Sequence, residues 1–306
     1  MATSLQRAGK LRLHGAGWGW FLALTSALAF SLVTPIGKAV ISDGAPALLV
    51  LSIRFWTGTL LLALTLALLA PTKLRIDRRG FGIAVGAGLI NGFGAACFFL
   101  SLTRIDASLA VMLFALSPLT VLGALALRGE KLSRRNLVRL GLGLAGVYFL
   151  IGPGGQTDWI GVLLVLIAIV GYTIELVAIQ WYLSAYDIRT VTLYVLGGMA
   201  TAITLAWLAL GADRDGFGAP ALAASLLLGA LCTYFGWWAM FTAIRQLGTA
   251  QVALLSPFEV LLSIIWSFLW LGERFTSFQL VGAGLILVSA SLAMQRRRRP
   301  APDPSP

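Results

Sequence analysis

Four charged side chains stand inside otherwise apolar stretches: Lys38, Arg54, Glu175 and Glu259. A charge in hydrocarbon costs about 2.5–3.5 kcal/mol at the centre of a bilayer, so each must face protein or a water-filled space. Glu175 and Glu259 fall near the middle of their stretches, where a carboxyl can hold a proton or pair with the ammonium of a ligand. The competing reading is an interhelical hydrogen bond donated by a protonated acid. Lys38 lies near one end of its stretch, where it either lines a cavity or snorkels to the headgroups. Arg54 is deeper, and tying the carbonyls of a neighbouring helix suits it better than touching a ligand.

Aromatic and polar neighbours extend this set. Tyr172, Tyr234, Trp237 and Trp238 lie well inside apolar stretches and could wall a pocket suited to apolar side chains. One helix cannot aim Tyr234, Phe235, Trp237 and Trp238 at a single cavity, so about two of them are expected to line it, and lipid contact is the alternative. Asn91 is a further polar candidate. Pro35, Pro118 and Pro257 each interrupt a stretch. A proline removes one backbone donor and clashes with the preceding turn, so each marks a kink, either a static one or a hinge. Glu259 stands two residues beyond Pro257, beside such a break. Gly82, Gly86, Gly88 and Gly92 repeat at four-residue steps and offer a smooth face for close helix packing.

The elements that must carry these residues follow from composition. Of 306 residues, 58% are hydrophobic and 11% charged, and the mean hydropathy is +0.89. Ordinary soluble domains carry about 25% charged residues. A soluble chain of this length could not hide so much apolar surface, so the protein is expected to be an all-α integral membrane protein. The two cysteines, Cys97 and Cys232, lie in apolar stretches and read as packing residues. No metal-ligand cluster or cofactor motif is visible, and no P-loop of the form GxxxxGK[ST] occurs. The single histidine, His14, precedes the first stretch, which argues against a membrane enzyme with clustered ligands.

Stretches long enough to cross about 30 Å of hydrocarbon fall at 18–41, 47–70, 80–102, 107–127 and 136–152, then at 159–182, 189–211, 219–244, 249–271 and 277–294. The first is too long for a secretory signal core and is expected to remain as the first span. Trp18 and Trp20 at its start read as interface anchors. Of the 23 lysines and arginines, eighteen lie on one side if the N-terminus is cytoplasmic, and only Arg104, Arg214 and Arg274 lie on the other. That bias places both termini in the cytoplasm. It also explains the net charge of +11 without nucleic acid.

The chain also repeats itself. Leu116-Ser117-Pro118 followed by Gly129-Glu130-Lys131 is answered by Leu255-Ser256-Pro257 followed by Gly272-Glu273-Arg274. Five spans per repeat is an odd number, so the two halves must run in opposite directions through the membrane, as inverted repeats. The expected organisation is a first repeat over 17–152, a second over 159–294 and a disordered cytoplasmic tail over 295–306. Glu130 and Glu273, at span ends beside basic neighbours, read as ion pairs or helix caps.

Together these residues resemble the drug/metabolite transporter superfamily, in its ten-helix branch with two EamA-type repeats. The resemblance rests on Pro35-Ile36-Gly37-Lys38, on Ala45-Pro46 with Arg54, and on the duplicated blocks at Pro118/Glu130 and Pro257/Glu273; it covers nearly all of 17–294. It implies a secondary carrier of the inner membrane that exports small metabolites, amino acids first among them, by alternating access. Lys38, Glu175, Glu259, Tyr172, Asn91, Tyr234, Trp237 and Trp238 would bind or couple the substrate, and Pro35, Arg54, Pro118 and Pro257 would be structural or hinge positions. It further implies helices 1–4 and 6–9 around a central cavity, with helices 5 and 10 outside. Partners would be small molecules and lipids, and neither a cofactor nor a metal is implied. Phe30 stands where many members carry a Trp. Export of drug-like cations or nucleosides, and a facilitative channel, are the alternatives.

Overall fold

The computed structural model describes residues 2–126, 134–151, 158–247, 252, 255–274 and 276–294. Among them there is no strand, as hydrocarbon demands: only a helix satisfies every backbone donor and acceptor within one segment. Where the chain turns back, aspartates start the helices. Asp77, Asp158 and Asp187 accept hydrogen bonds from Gly80 N (3.4 Å), Ile160 N (2.8 Å) and Arg189 N (3.0 Å). A short acidic side chain at this position satisfies a donor the helix leaves open and favours the positive end of its dipole.

In the first half, α1 (Ala2–Ser31) and α2 (Val33–Ser42) form one broken segment, followed by α3 (Ala47–Leu69) and α4 (Arg78–Ser101). A second broken segment, α5 (Ala107–Phe114) with α6 (Ser117–Ala126), precedes α7 (Arg134–Ile151). The second half holds α8 (Trp159–Tyr182), α9 (Ile188–Ala209), and α10 (Ala219–Leu227) continuing through a π-helical stretch (Leu228–Phe235) into α11 (Gly236–Leu247). It closes with α12 (Ser256–Leu271) and α13 (Ser277–Met294). The described helices thus succeed one another as ten segments, five in each half. Six of them are long and apolar enough to cross a membrane, and three further apolar helices are shorter.

The breaks fall at the prolines. The carbonyl four residues before Pro35 is that of Ser31, which the ring denies to the helix. It accepts a hydrogen bond from Ser263 Oγ of α12 instead, at 2.9 Å. Pro118 likewise follows the α5/α6 interruption, and Pro257 stands in the first turn of α12. The residues immediately before α12 lie largely outside the described set.

Contacts at the two ends of the bundle fix the direction of each half. At one end Lys73 pairs with Asp187 at 2.6 Å, and Thr190 Oγ1 donates to Lys73 O. At the other, Lys38 Nζ donates to Leu102 O (2.6 Å) and Ile105 O (3.0 Å). Arg104 pairs with Asp158 at this same end, at 2.8 Å. That bond holds the Asp158 carboxyl below the usual range, so the pair stays ionised through neutral pH. The first half therefore begins at the Lys73 end and finishes at the Lys38 end, whereas the second does the reverse. Packing obeys the same inversion. α4 lies on α8 and α9 as the α10–α11 segment lies on α1 and α3, and α3 with α9, α5 with α12 and α7 with α13 pair across the axis. These are two inverted repeats.

Small residues set how closely the helices approach. A Cβ on Gly92 of α4 would fall 2.7 Å from the Met199 Cα and O of α9, and one on Gly94 would fall 3.2 Å from Ala168 Cα of α8. Gly88 abuts Val195 in the same way, whereas Gly82 and Gly86 face open space. Only half of the glycine series therefore serves the contact.

Glu273 closes the Lys38 end. Its carboxylate accepts from Ala107 N (2.7 Å), Ser108 N (3.1 Å) and Ser108 Oγ. It thus caps α5 of the opposite repeat rather than pairing with its neighbour Arg274, because two unpaired donors and a helix dipole meet it there. Its repeat counterpart, Glu130, lies outside the described residues, as does the 295–306 tail. Hydrogen bonds to a charged group contribute about 1.5–3 kcal/mol. Glu273→Ala is therefore expected to lower the thermal midpoint of the detergent-solubilised protein by several degrees. An unchanged midpoint would show that the clasp contributes nothing to stability.

Candidate functional site

Arg54, two turns into α3, projects towards the π-helical stretch. Each π turn inserts an extra residue, which widens the helix and turns side chains out of register. Here it brings Thr233 against α3, where Thr233 Oγ1 accepts from Arg54 Nε at 3.1 Å. Close approach is possible because small residues face each other: a Cβ on Gly58 would meet Thr233 Cβ at 2.7 Å, and one on Gly229 would meet Arg54 O at 2.7 Å. The guanidinium also lies over the rings of Phe55 (5.1 Å) and Phe99 (5.9 Å). It thus holds a hydroxyl and two rings, not the carbonyls that a helix-tying role would require.

Glu259 enters from α12, in the first turn beyond Pro257. It is half-buried, and among the described residues its carboxylate has no hydrogen-bond or ion-pair partner. Tyr172 belongs to α8 and the buried Cys232 to the π-helical stretch. Tyr172 packs on Phe114 with ring centroids 5.4 Å apart. Phe30 of α1 meets Trp237 edge to face at 6.1 Å. Arg54 and Thr233 thus join α3 to the π-helical stretch, Tyr172 joins α8 to Phe114, and Glu259 stands on α12, which packs on α1, α2 and α5 of the other repeat.

Glu175 is placed differently. It is 1% exposed and receives a hydrogen bond from Asn91 Nδ2 of α4, which also points to Met199 Sδ of α9 at 3.7 Å. The pair is sealed where α4, α8 and α9 meet. The two sequence candidates Asn91 and Glu175 are thus brought together, but away from any open space.

Lys38 is separate again. It reaches the carbonyls of Leu102 and Ile105 in the turn just beyond α4, where a cation suits the negative end of the helix dipole. It also lines a cavity of about 430 Å³ at its end of the bundle, with Thr103, Trp207 and Asp213. Arg54, Glu175 and Glu259 are not among that cavity's walls. Tyr234 bonds to Thr65 Oγ1 of α3 at 2.7 Å. Trp238 is 42% exposed and packs on Phe235. Neither aromatic meets the charged residues.

Sequence reasoning passed over Thr233 and Cys232. Their signal was faint: Gly229 and Gly236 flank them in an apolar run, marking a place where another backbone comes close.

Ten helical segments in two inverted halves, with few charges inside the spans, define a multi-pass membrane protein. The profile of the EamA-like transporter family matches residues 17–152 and 159–295, and the chain belongs to that family. It is similar to an uncharacterized transporter of Archaeoglobus fulgidus, 24% identical over 219 residues, a match covering 72% of this chain and 77% of the relative. It also superposes on a crystal structure described only as that of a protein. The TM-score is 0.62 at 20% identity, covering 90% of this chain and 96% of the other, a likeness of fold. The protein is a membrane transporter of the drug/metabolite transporter kind.

Proposed function

We propose that this protein is a secondary carrier that exports amino acids, neutral and aromatic ones among them, by alternating access through the interior marked by Glu259 and Tyr172. The observation that carries the reading is the unpaired carboxylate of Glu259 in a region walled by both repeats. A carboxylate without a partner inside a membrane-spanning bundle is costly, and a substrate ammonium or a proton would neutralise it. Tyr172, Phe114, Phe30 and Trp237 supply the apolar surface that an amino-acid side chain would meet. Inverted repeats allow the two halves to exchange conformations and so open the site to either face. Pro35, Pro118 and Pro257 stand at breaks where helices can bend.

Two measurements test this reading. Liposomes holding the purified protein should accumulate labelled phenylalanine or leucine by counterflow, with flux that saturates. Uptake of organic cations or nucleosides with no amino acid moved would replace the substrate class, and flux that never saturates would favour a channel. The second concerns placement in the inner membrane with both termini cytoplasmic, which rests on the eighteen-to-three division of basic residues. A cysteine introduced beside Arg134 should resist an impermeant thiol reagent applied outside intact cells. Ready labelling there would reverse the orientation.

A further inference from the structure

We propose that Arg54 is a carboxylate-binding residue, its guanidinium fork held ready by Thr233 and two aromatic rings. The assignment rests on the amino-acid reading for its natural substrate, but its chemistry is independent of it. Arg54 is only 8% exposed and lies two turns into α3. A permanently charged group so deep in a membrane protein requires a counter-charge. Among the described residues none is supplied: the ion pairs are Lys73 with Asp187 and Arg104 with Asp158.

The arrangement of its five donors is equally telling. Nε is taken by Thr233 Oγ1, and that bond, with the faces of Phe55 and Phe99, fixes the plane of the guanidinium. The two terminal nitrogens make no hydrogen bond. Neither is sealed, since among the described residues the only enclosed polar side-chain atom without a partner is Ser267 Oγ. They therefore keep some accessible surface and leave free the planar fork that accepts a carboxylate through two parallel bonds. Thr233, which holds Nε, lies within the π-helical stretch. A carboxylate seated in that fork would supply the missing counter-charge.

The test is binding of three probes to the full chain in detergent, read by stabilisation on heating: phenylalanine, 3-phenylpropionate (carboxylate only) and phenethylamine (ammonium only). Arg54→Gln should weaken phenylalanine and 3-phenylpropionate by about tenfold or more, as loss of a charge-assisted bidentate contact implies, and leave phenethylamine unchanged. Arg54→Lys, which keeps the charge without the fork, should fall between, and it guards against a glutamine variant that does not fold. Equal weakening of all three probes, or undiminished binding of 3-phenylpropionate by both variants, would overturn the assignment. So would failure of the wild type to bind 3-phenylpropionate. Arg54-dependent binding of 3-phenylpropionate without binding of phenylalanine would keep the carboxylate assignment and reject the amino-acid substrate.

Discussion

Gly92→Leu should leave almost no folded protein, while Gly86→Leu, one turn and a half away on the same helix, should be tolerated. A Cβ at Gly92 would stand 2.7 Å from Met199 Cα and 2.9 Å from Ala202 Cβ, so α9 itself would have to retreat. It is held in place by α3 on its other side, and α4 is held by α8, where Gly171 and Gly94 meet. Forcing extra atoms into such a seam costs about 1–3 kcal/mol even where neighbours can give way. Here the neighbours are backbone, and a leucine adds three carbons beyond Cβ. Separating α4 from α9 would also disturb Asn91, the next residue along, and strip Glu175 of its donor. A carboxyl left unsatisfied in the interior adds its own penalty. Gly86 meets nothing within 4 Å. Size-exclusion profiles and thermal midpoints of both variants decide the matter: wild-type behaviour of Gly92→Leu would mean that the helices do not approach as closely as this.

What the sequence made legible was whatever depends on one segment at a time. Long apolar runs gave the helices, since hydrocarbon leaves the backbone no other choice, and Pro35, Pro118 and Pro257 marked the breaks because a ring forbids one bond wherever it stands. The duplicated blocks and an odd count of spans gave the inversion by arithmetic alone. Pairings across helices were not legible. Asn91 and Glu175 are 84 positions apart and meet only because α4 crosses α8 at glycine spacing. Glu273 sits next to Arg274 in the chain yet answers the donors of Ala107 and Ser108 from the other repeat. The π stretch left no periodic trace, because a single extra residue in a uniformly apolar run changes no hydrophobic pattern. Lys38, Glu175 and Glu259 look equivalent as charges in apolar runs. Burial separates them into a helix cap, a sealed pair and an open carboxylate.

That separation gives Glu259 and Glu175 different expected behaviour. Glu259→Gln keeps the size and most of the hydrogen-bonding capacity of the side chain and removes its charge and its proton. If this carboxylate receives the substrate amine or a coupling proton, transport into liposomes should fall by about tenfold or more, or lose its dependence on pH between about 5 and 8. Tenfold corresponds to about 1.4 kcal/mol, well within what one charged hydrogen bond contributes. The variant should still fold, because Glu259 has no partner among the described residues to lose. Glu175→Gln should do the opposite. Its carboxyl is sealed against Asn91, and an amide facing an amide must rearrange one hydrogen bond, so the thermal midpoint should move more than the rate. Pro257 sharpens the contrast, since the break at the start of α12 lets Glu259 shift when the helix bends, whereas Glu175 is locked between three helices. Should both glutamine variants transport at the wild-type rate with an unchanged pH profile, the two carboxyls are structural. The protein would then be a facilitator that passes neutral zwitterions down their gradient.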